Sequence, residues 1–347
     1  GNLIGVTANR NIAAFSIALK IPFVLFLISK STLNKTKVFG LIIITLAISA
    51  ISMIQSRASY LAIGLITILY CFVPFLFFKE KNNTSKFKML TNIIFPLLLS
   101  VFINQSFFAS KGADAITRAS TISFSTNDSS INQRLRYYGH VLTHLKSNPI
   151  FGVGLGNWKF KSIEYDKDTM QGYVVPYHAH SDFIQLGAEL GIIGFLSYLG
   201  IFIFEIFFSI KILKNPNIKK ENNFFVYIVL ISLGVYLIDA NLNFPIARPQ
   251  VIIVWALIIS LISFYFNDYS KHSQALKLKI NSYKILYGLL IICLPSLFVS
   301  YKVFGSLKNQ TLLLRDFNSN KYFTNMAKIE AMDLKIPNVT VTTIPLE

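Results

Sequence analysis

The chain has 347 residues, 53% of them hydrophobic and only 14% charged, with 33 basic against 16 acidic side chains and a formal net charge of +17. A soluble domain carries about 25% charged residues, so this composition excludes a soluble globular domain and, more firmly, a disordered one. The basic excess does not point to nucleic acid, because lysines beside membrane spans produce the same total.

The chain opens on Gly1 rather than Met, with no visible signal peptide, and reads as a fragment that has lost upstream sequence. Four apolar stretches follow at 12–29, 38–55, 58–78 and 89–108, close to the ~19-residue window of a transmembrane helix. Pro22, Pro74 and Pro96 interrupt them, which membrane helices tolerate where neighbours re-satisfy the backbone. Cys71 and Cys293 sit inside apolar runs as small hydrophobes and build neither a disulfide framework nor a metal cluster. A loop at 109–186 is too long for a mere connection. Four more apolar stretches come after it, at 187–210, 223–240, 249–266 and 284–303, and Pro249 suits a first helical turn. The polar tail 304–347 holds a helix near 320–334, ended by Pro337, and a further extracytoplasmic domain is expected beyond Glu347. The predicted fold is all-α: a polytopic membrane bundle of about eight helices with one large helical extracytoplasmic loop. Its parts are 1–108, the catalytic loop 109–186, 187–303 and the start of a C-terminal region at 304–347.

Orientation follows from lysine. One set of connections holds Lys30, Lys35 and Lys37, then Lys79, Lys81, Lys86 and Lys88, then Lys211, Lys214, Lys219 and Lys220, then Lys271, Lys277, Lys279 and Lys284. The intervening short connections carry one cation each, Arg57 and Arg248. The lysine loops are therefore expected to be cytoplasmic. Residues 1–11, 55–58, 109–186, 241–248 and the tail are expected to face outward.

The chemistry-bearing residues gather on that outer side. Arg57, in SMIQSRASY, and Arg248, in NFPIARP, either snorkel to the interface or grip a phosphate bidentately, which lysine cannot do. Arg134 and Arg136, in NQRLRYYGH, begin an amphipathic helix that runs to Lys146 and ends at Asn148-Pro149. Two positions apart, they point to different sides of that helix, and either one is open as the member facing a site. Gly152, Gly154 and Gly156 alternate and let backbone approach closely; with no strand before them they read as a tight turn at the membrane surface, not a dinucleotide fingerprint. His180 stands where the fifth span begins and is suited to exchange a proton near neutral pH, although a lone His at a helix start is ordinarily structural. His178 and His180 do not suffice for a metal, which needs three or four ligands, and Glu164, Asp166 and Asp168 read as a solvated loop face. Glu189 is costly at its depth unless it holds an arginine or lines a wet cavity, and Gly191 and Gly194 give the helix a smooth packing face. Lys20, Glu205 and Asp239 are the other ionisable residues in the spans, the last two near span ends. Tyr137, Tyr138, Trp158 and Tyr177 are able to stack on sugars or simply to anchor at the interface.

These pieces, in this order, resemble the bacterial O-antigen ligase and O-antigen polymerase superfamily. His180 and Ser181 followed by Gly191 and Gly194 match the ligase pattern of His, Asn/Ser/Gln, nine residues and Gly-x-x-Gly. Arg136 and Gly152 match the polymerase spacing of Arg, fifteen residues and Gly, and PIFGVGLGNW looks like the family's glycine turn. SRAS around Arg57 and the opening TANRNIAAF look like further family segments, so the resemblance covers about 1–265. It implies a glycosyltransferase without metal or cofactor. Such an enzyme moves a glycan from an undecaprenyl-diphosphate carrier to an acceptor hydroxyl, with inversion, at the periplasmic face of the bacterial inner membrane.

That chemistry needs cations on a leaving group that gains charge and an acceptor for the hydroxyl proton. Arg57 and Arg136, with Arg134 as alternative, are expected on the pyrophosphate and His180 on the acceptor hydroxyl. Arg248, Glu189, Tyr137 and Gly152 are expected to contact substrate, and Gly191 and Gly194 to be structural. The acceptor is the lipid A core, as in lipopolysaccharide biosynthesis, a growing glycan, as in a polymerase, or a protein hydroxyl, as in a protein O-oligosaccharyltransferase. The His180 pattern favours a ligase. A transporter of lipid-linked sugars would gather its ionisable residues near the bilayer midplane. A bare membrane anchor would leave the loop arginines and His180 unexplained. The family's additional N-terminal helices are missing from the front, and NFPIARP with the polar tail looks like members that carry a C-terminal helical-repeat domain.

Overall fold

Seven stretches of helix are long and apolar enough to cross a membrane in the computed structural model, which describes residues 9–77, 83–108, 114–120, 129–169, 176–272, 282–319, 321 and 323–330. The chain forms two units, 1–274 and 275–347. Lys79, Lys81, Lys277, Lys279, Pro337 and residues 320, 322 and 331–334 of the expected tail helix lie outside the described residues.

In the first unit, α1 (Arg10–Ala18) and α2 (Ile21–Lys30) make one span with a break at Leu19-Lys20. The Asn9 side chain caps α1 by accepting from the N–H groups of Asn11 and Ile12, and Pro22 sits in the first turn of α2. Lys20, expected deep in a span, stands exposed at this break. Helix α3 (Asn34–Ile54) ends on Gln55 in the left-handed conformation, and α4 (Arg57–Phe77) starts two residues later. This turn carries Arg57 to the end of the bundle. Helix α5 (Asn83–Phe107) packs on α3 and α4, where the Ser100 hydroxyl reaches the Thr45 carbonyl at 3.0 Å.

Three short helices follow outside the spans: α6 (Ala115–Ser120), α7 (Ser129–Ser147) and α8 (Trp158–Asp166). The chain then re-enters the bundle as α9 (Asp182–Lys214) and α10 (Lys220–Leu242), makes a 3-10 turn at Pro245–Ala247, and continues as α11 (Pro249–His272). Helix α10 is apolar on all sides and occupies the middle, touching α2, α4, α9 and α11. Phe202, Tyr236 and Trp255 stack where α9, α10 and α11 meet, the last two rings 5.2 Å apart.

Helix α9 is not continuous. Gly191 has φ +66° and ψ −162°, a conformation that L side chains avoid. The break frees backbone groups at the membrane level, and the glycine turn supplies their partners. Val153 N–H donates to Ala188 O (3.0 Å), Gly154 N–H to Glu189 O (2.8 Å), and Ile192 N–H to Pro149 O (2.8 Å). A Cβ on Gly191 would collide with the Ile150 carbonyl, and one on Gly152 with the Ala188 and Glu189 backbone. Gly191, expected as a packing face, is therefore a breakpoint into which another backbone segment fits. At Gly194 a Cβ would meet Leu190 and the Leu186 carbonyl of its own helix, across the break, rather than a neighbouring helix.

The second unit holds α12 (Ser282–Ser319) and α13 (Met326–Glu330). The eighth expected stretch, 284–303, lies inside the single 38-residue α12.

Candidate functional site

Four arginines line one cavity of about 300 Å³ in the first unit. Arg10 comes from the first turn of α1, Arg57 from the first residue of α4, Arg118 from α6 and Arg134 from α7. No carboxylate stands among the described residues that line it. Asn11, Ser130 and Tyr138 add polar groups, and Leu61, Leu135 and Leu242 an apolar side.

Each arginine is placed by local structure. Arg118 is held by its Nε, which donates to Gln55 O at 3.2 Å, the carbonyl presented by the left-handed cap of α3. Helix α6 is itself tethered to α5: Asn104 accepts from Ala115 N–H (2.9 Å) and Gln105 donates to Asp114 (2.8 Å). Hydrogen bonds from Thr117 and Gln105 hold the Asp114 carboxyl down at about 2, so it remains ionised as the α6 cap. Asn11 donates to Asn243 (3.1 Å), which in turn donates to the buried Asp239 (2.8 Å), so α1 is tied to the end of α10.

The two arginines of NQRLRYYGH part company. Arg134 lines the cavity. Arg136, expected on the pyrophosphate, turns instead to the buried Asp166, with Nε to carboxylate 3.0 Å. Asp166 also meets His140 at 3.0 Å and accepts from Thr169 at 2.8 Å. Asp166, read from sequence as a solvated loop face, is thus the buried centre of a cluster that fastens α8 to α7. Nearby, His144, Trp158 and Tyr165 stack together, with Trp158 fully buried, which removes Trp158 as a sugar platform.

His180 stands beside the cavity. Tyr138, one of the lining residues, donates its hydroxyl to the His180 carbonyl at 3.2 Å. The His180 backbone has φ +57°, a strained conformation for a non-glycine residue, and it is held there just before Ser181 caps α9. Tyr137 is buried and stacks behind the imidazole at 6.2 Å, with its ring turned to His180. The Nδ1 atom is buried with no hydrogen-bond partner among the described residues. Burial, then the positive charge of Arg134, lower the imidazole to about 4, so it is neutral at neutral pH.

The remaining expected residues form the frame. Glu189 accepts from Gly156 N–H (2.9 Å) and from Gln185 (3.2 Å), and Gln185 accepts from His178 (3.2 Å) and Ala179 N–H (3.3 Å). Glu189 therefore links the glycine turn to the segment that carries His180, and it holds no arginine. Arg248 lies over the Phe244 ring (5.0 Å), which also stacks on His178 at 4.0 Å and meets His180 edge-on at 5.4 Å. Burial is the main cause that lowers His178 as well. Asp182, fully buried, accepts from Tyr198 (3.2 Å) and from Ile246 N–H (3.1 Å), which fixes the start of α9 against the 3-10 turn. Sequence reasoning did not single out Arg10 or Arg118. The available signal was that all seven arginines lie on segments assigned to the lysine-poor face.

Residues 41–199 match the model of the family described as O-antigen ligase. The stretch takes in α4, all three short helices, His180 and the break at Gly191. An uncharacterized protein of Haemophilus influenzae is 23% identical over 216 residues, 61% of this chain. The chain spans about half (52%) of the length of that relative.

Proposed function

We propose that this multi-pass membrane protein, whose residues 41–199 match the model of a family of glycosyltransferase-type enzymes, transfers a glycan from an undecaprenyl-diphosphate carrier to an acceptor hydroxyl at the periplasmic face of the inner membrane. The observation that carries the reading is the cavity of four arginines beside a neutral, strained histidine. Guanidinium groups bind phosphate oxygens in pairs, and four of them on one wall suit a pyrophosphate better than a single phosphate. In the reaction the acceptor oxygen forms a bond to the anomeric carbon while the bond from that carbon to the phosphate oxygen breaks. The undecaprenyl diphosphate departs with the added negative charge, which Arg57 and Arg134, supported by Arg10 and Arg118, stabilise. His180 takes the hydroxyl proton, as its neutral imidazole permits. Arg136, Glu189, Tyr137 and Gly152 then act through the frame and not on the substrate.

A ligase acting on the lipid A core is the first reading, because His180, Ser181, Gly191 and Gly194 follow the ligase pattern. The test is a transfer assay with purified protein, a lipid-linked glycan and three acceptors: lipid A core, free glycan and a protein hydroxyl. A donor-binding measurement and an EDTA control run beside it. Transfer to the lipid A core, unchanged by EDTA, is expected. Transfer to glycan or protein alone identifies a polymerase or an oligosaccharyltransferase, and donor binding or movement with no transfer defeats the enzyme reading.

A further inference from the structure

The glycine turn carries side chains that the catalytic reading does not use. Ile150, Phe151 and Leu155 are 51%, 76% and 68% exposed, large apolar groups pointing away from the protein. Residues 147–158 contain no charge, and Lys146 and Lys159 bracket them. The short helices also expose Ile116, Leu135 and Leu142, but singly, whereas the turn gathers three exposed apolar side chains in one uncharged run.

Its height is fixed by α9. The far end of α9 carries Lys211 and Lys214 in its last turn. A hydrocarbon core of ~30 Å takes about 20 residues at ~1.5 Å per residue. Counting back from Lys211, that length ends at the Gly191 break. Below the break, Ile192, Ile193 and Leu196 are exposed and apolar, as a lipid-facing surface is. Above it, Asp182, Gln185 and Glu189 are engaged in polar contacts. The turn is bonded to the break itself, through Ile192 N–H to Pro149 O and Gly154 N–H to Glu189 O. Ile150, Phe151 and Leu155 therefore project at the boundary of the apolar core and extend the surface of Ile192 and Ile193.

We infer that the turn 149–156 is a membrane-seated anchor, with Phe151 and Leu155 inserted among the upper acyl chains of the leaflet at the Asp182 end of α9. The occupant of this surface is bilayer lipid: the patch is continuous with the lipid-facing side of α9, and its bracketing lysines suit phospholipid headgroups. Insertion holds the turn at a fixed depth. Through Glu189 and Gln185 it also fixes the height of the His178–His180 segment.

The test uses the full chain with Cys71→Ser and Cys293→Ser, reconstituted into phosphatidylcholine vesicles. Single cysteines at Phe151→Cys, Leu155→Cys, Glu164→Cys or Leu196→Cys carry an environment-sensitive fluorophore. Lipids bear a nitroxide at the headgroup, high on the acyl chain or near its end. The labels at 151 and 155 are expected to shift to the blue and lose most emission to the nitroxide high on the chain. The label at 164 is expected to stay unshifted and unquenched by either acyl position, and the one at 196 to respond to the deeper nitroxide. Both turn positions are exposed and tolerate substitution independently, so either one suffices. Labels at 151 or 155 that behave like the label at 164 would overturn the inference.

Discussion

At His180 a strained backbone, a buried unpartnered Nδ1 and a nearby arginine act on one imidazole. Replacing His180 by Ala should leave donor binding intact while transfer falls by ~10²–10⁴-fold, the usual contribution of a positioned base. Full activity in that variant would end the base role. The lowered imidazole also sets a pH signature. Activity needs the neutral form, so the acid limb of the rate profile due to His180 should fall near pH 4 and not near the ordinary 6.5. Arg134→Gln removes the second cause of the lowering, and the limb should move upward even though the rate itself drops. The paired arginines separate binding from stability. Arg134→Lys should weaken donor binding roughly 10- to 100-fold, since a charged hydrogen bond contributes about 1.5–3 kcal/mol. Arg136→Ala should instead cost about 1–3 kcal/mol of stability by leaving Asp166 short of a partner, read as a lower Tm with donor affinity retained. Arg57 and His180 were legible in the sequence because their types are rare beside apolar spans and suit only a few tasks. The choice between Arg134 and Arg136 was not legible. It depends on where Asp166 lies, thirty residues away on another helix.

The helices themselves were readable from apolar length, since a membrane span must satisfy its own backbone and has few ways to do so. What hydropathy did not show is where a helix breaks. Gly191 was read as a small packing residue because its sequence neighbours are helical. Its positive φ is imposed by the turn at 149–154, which offers donors to Ala188 O and Glu189 O only once folded against them. Likewise α9 begins at Asp182, some five residues before the apolar run, because Ser181 caps it and Asp182 is buried with Tyr198. Two glycines make this argument testable. Gly191→Ala should destabilise by more than the ~1–2 kcal/mol of left-handed backbone, as its Cβ also strikes Ile150. Gly139→Ala, inside α7 with no atom near its Cβ, should stabilise by about 0.4–1 kcal/mol. Thermal unfolding of the two variants in one detergent compares them directly, and equal shifts would contradict the breakpoint.

In the short connections of the bundle, cations divide by type. If successive spans alternate in direction, the ends at Arg10, Gln55, Arg57, Phe107, Asp182 and Leu242 share one face. The cavity brings Arg10, Gln55, Arg57, Arg118, Arg134 and Leu242 onto one wall, which is what a common face requires. Lys30, Lys86, Lys214 and Lys220 stand at the opposite ends of the same helices. In the short connections lysine thus marks one side, whereas every arginine lies on segments assigned to the other, beside loop lysines such as Lys146 and Lys159, where a guanidinium is suited to bind phosphate. The expectation is strict. In cells treated with a membrane-impermeant maleimide, Glu164→Cys should label at once, whereas Lys86→Cys and Lys219→Cys should label only after permeabilisation. Asn318→Cys examines α12 separately. If 284–303 crosses as an eighth span, residue 318 labels with residue 164, and if it does not, residue 318 labels with residue 219. Labelling of residues 164 and 219 from the same side would break the alternation, and with it the placing of the arginine cavity on the face opposite the lysine loops.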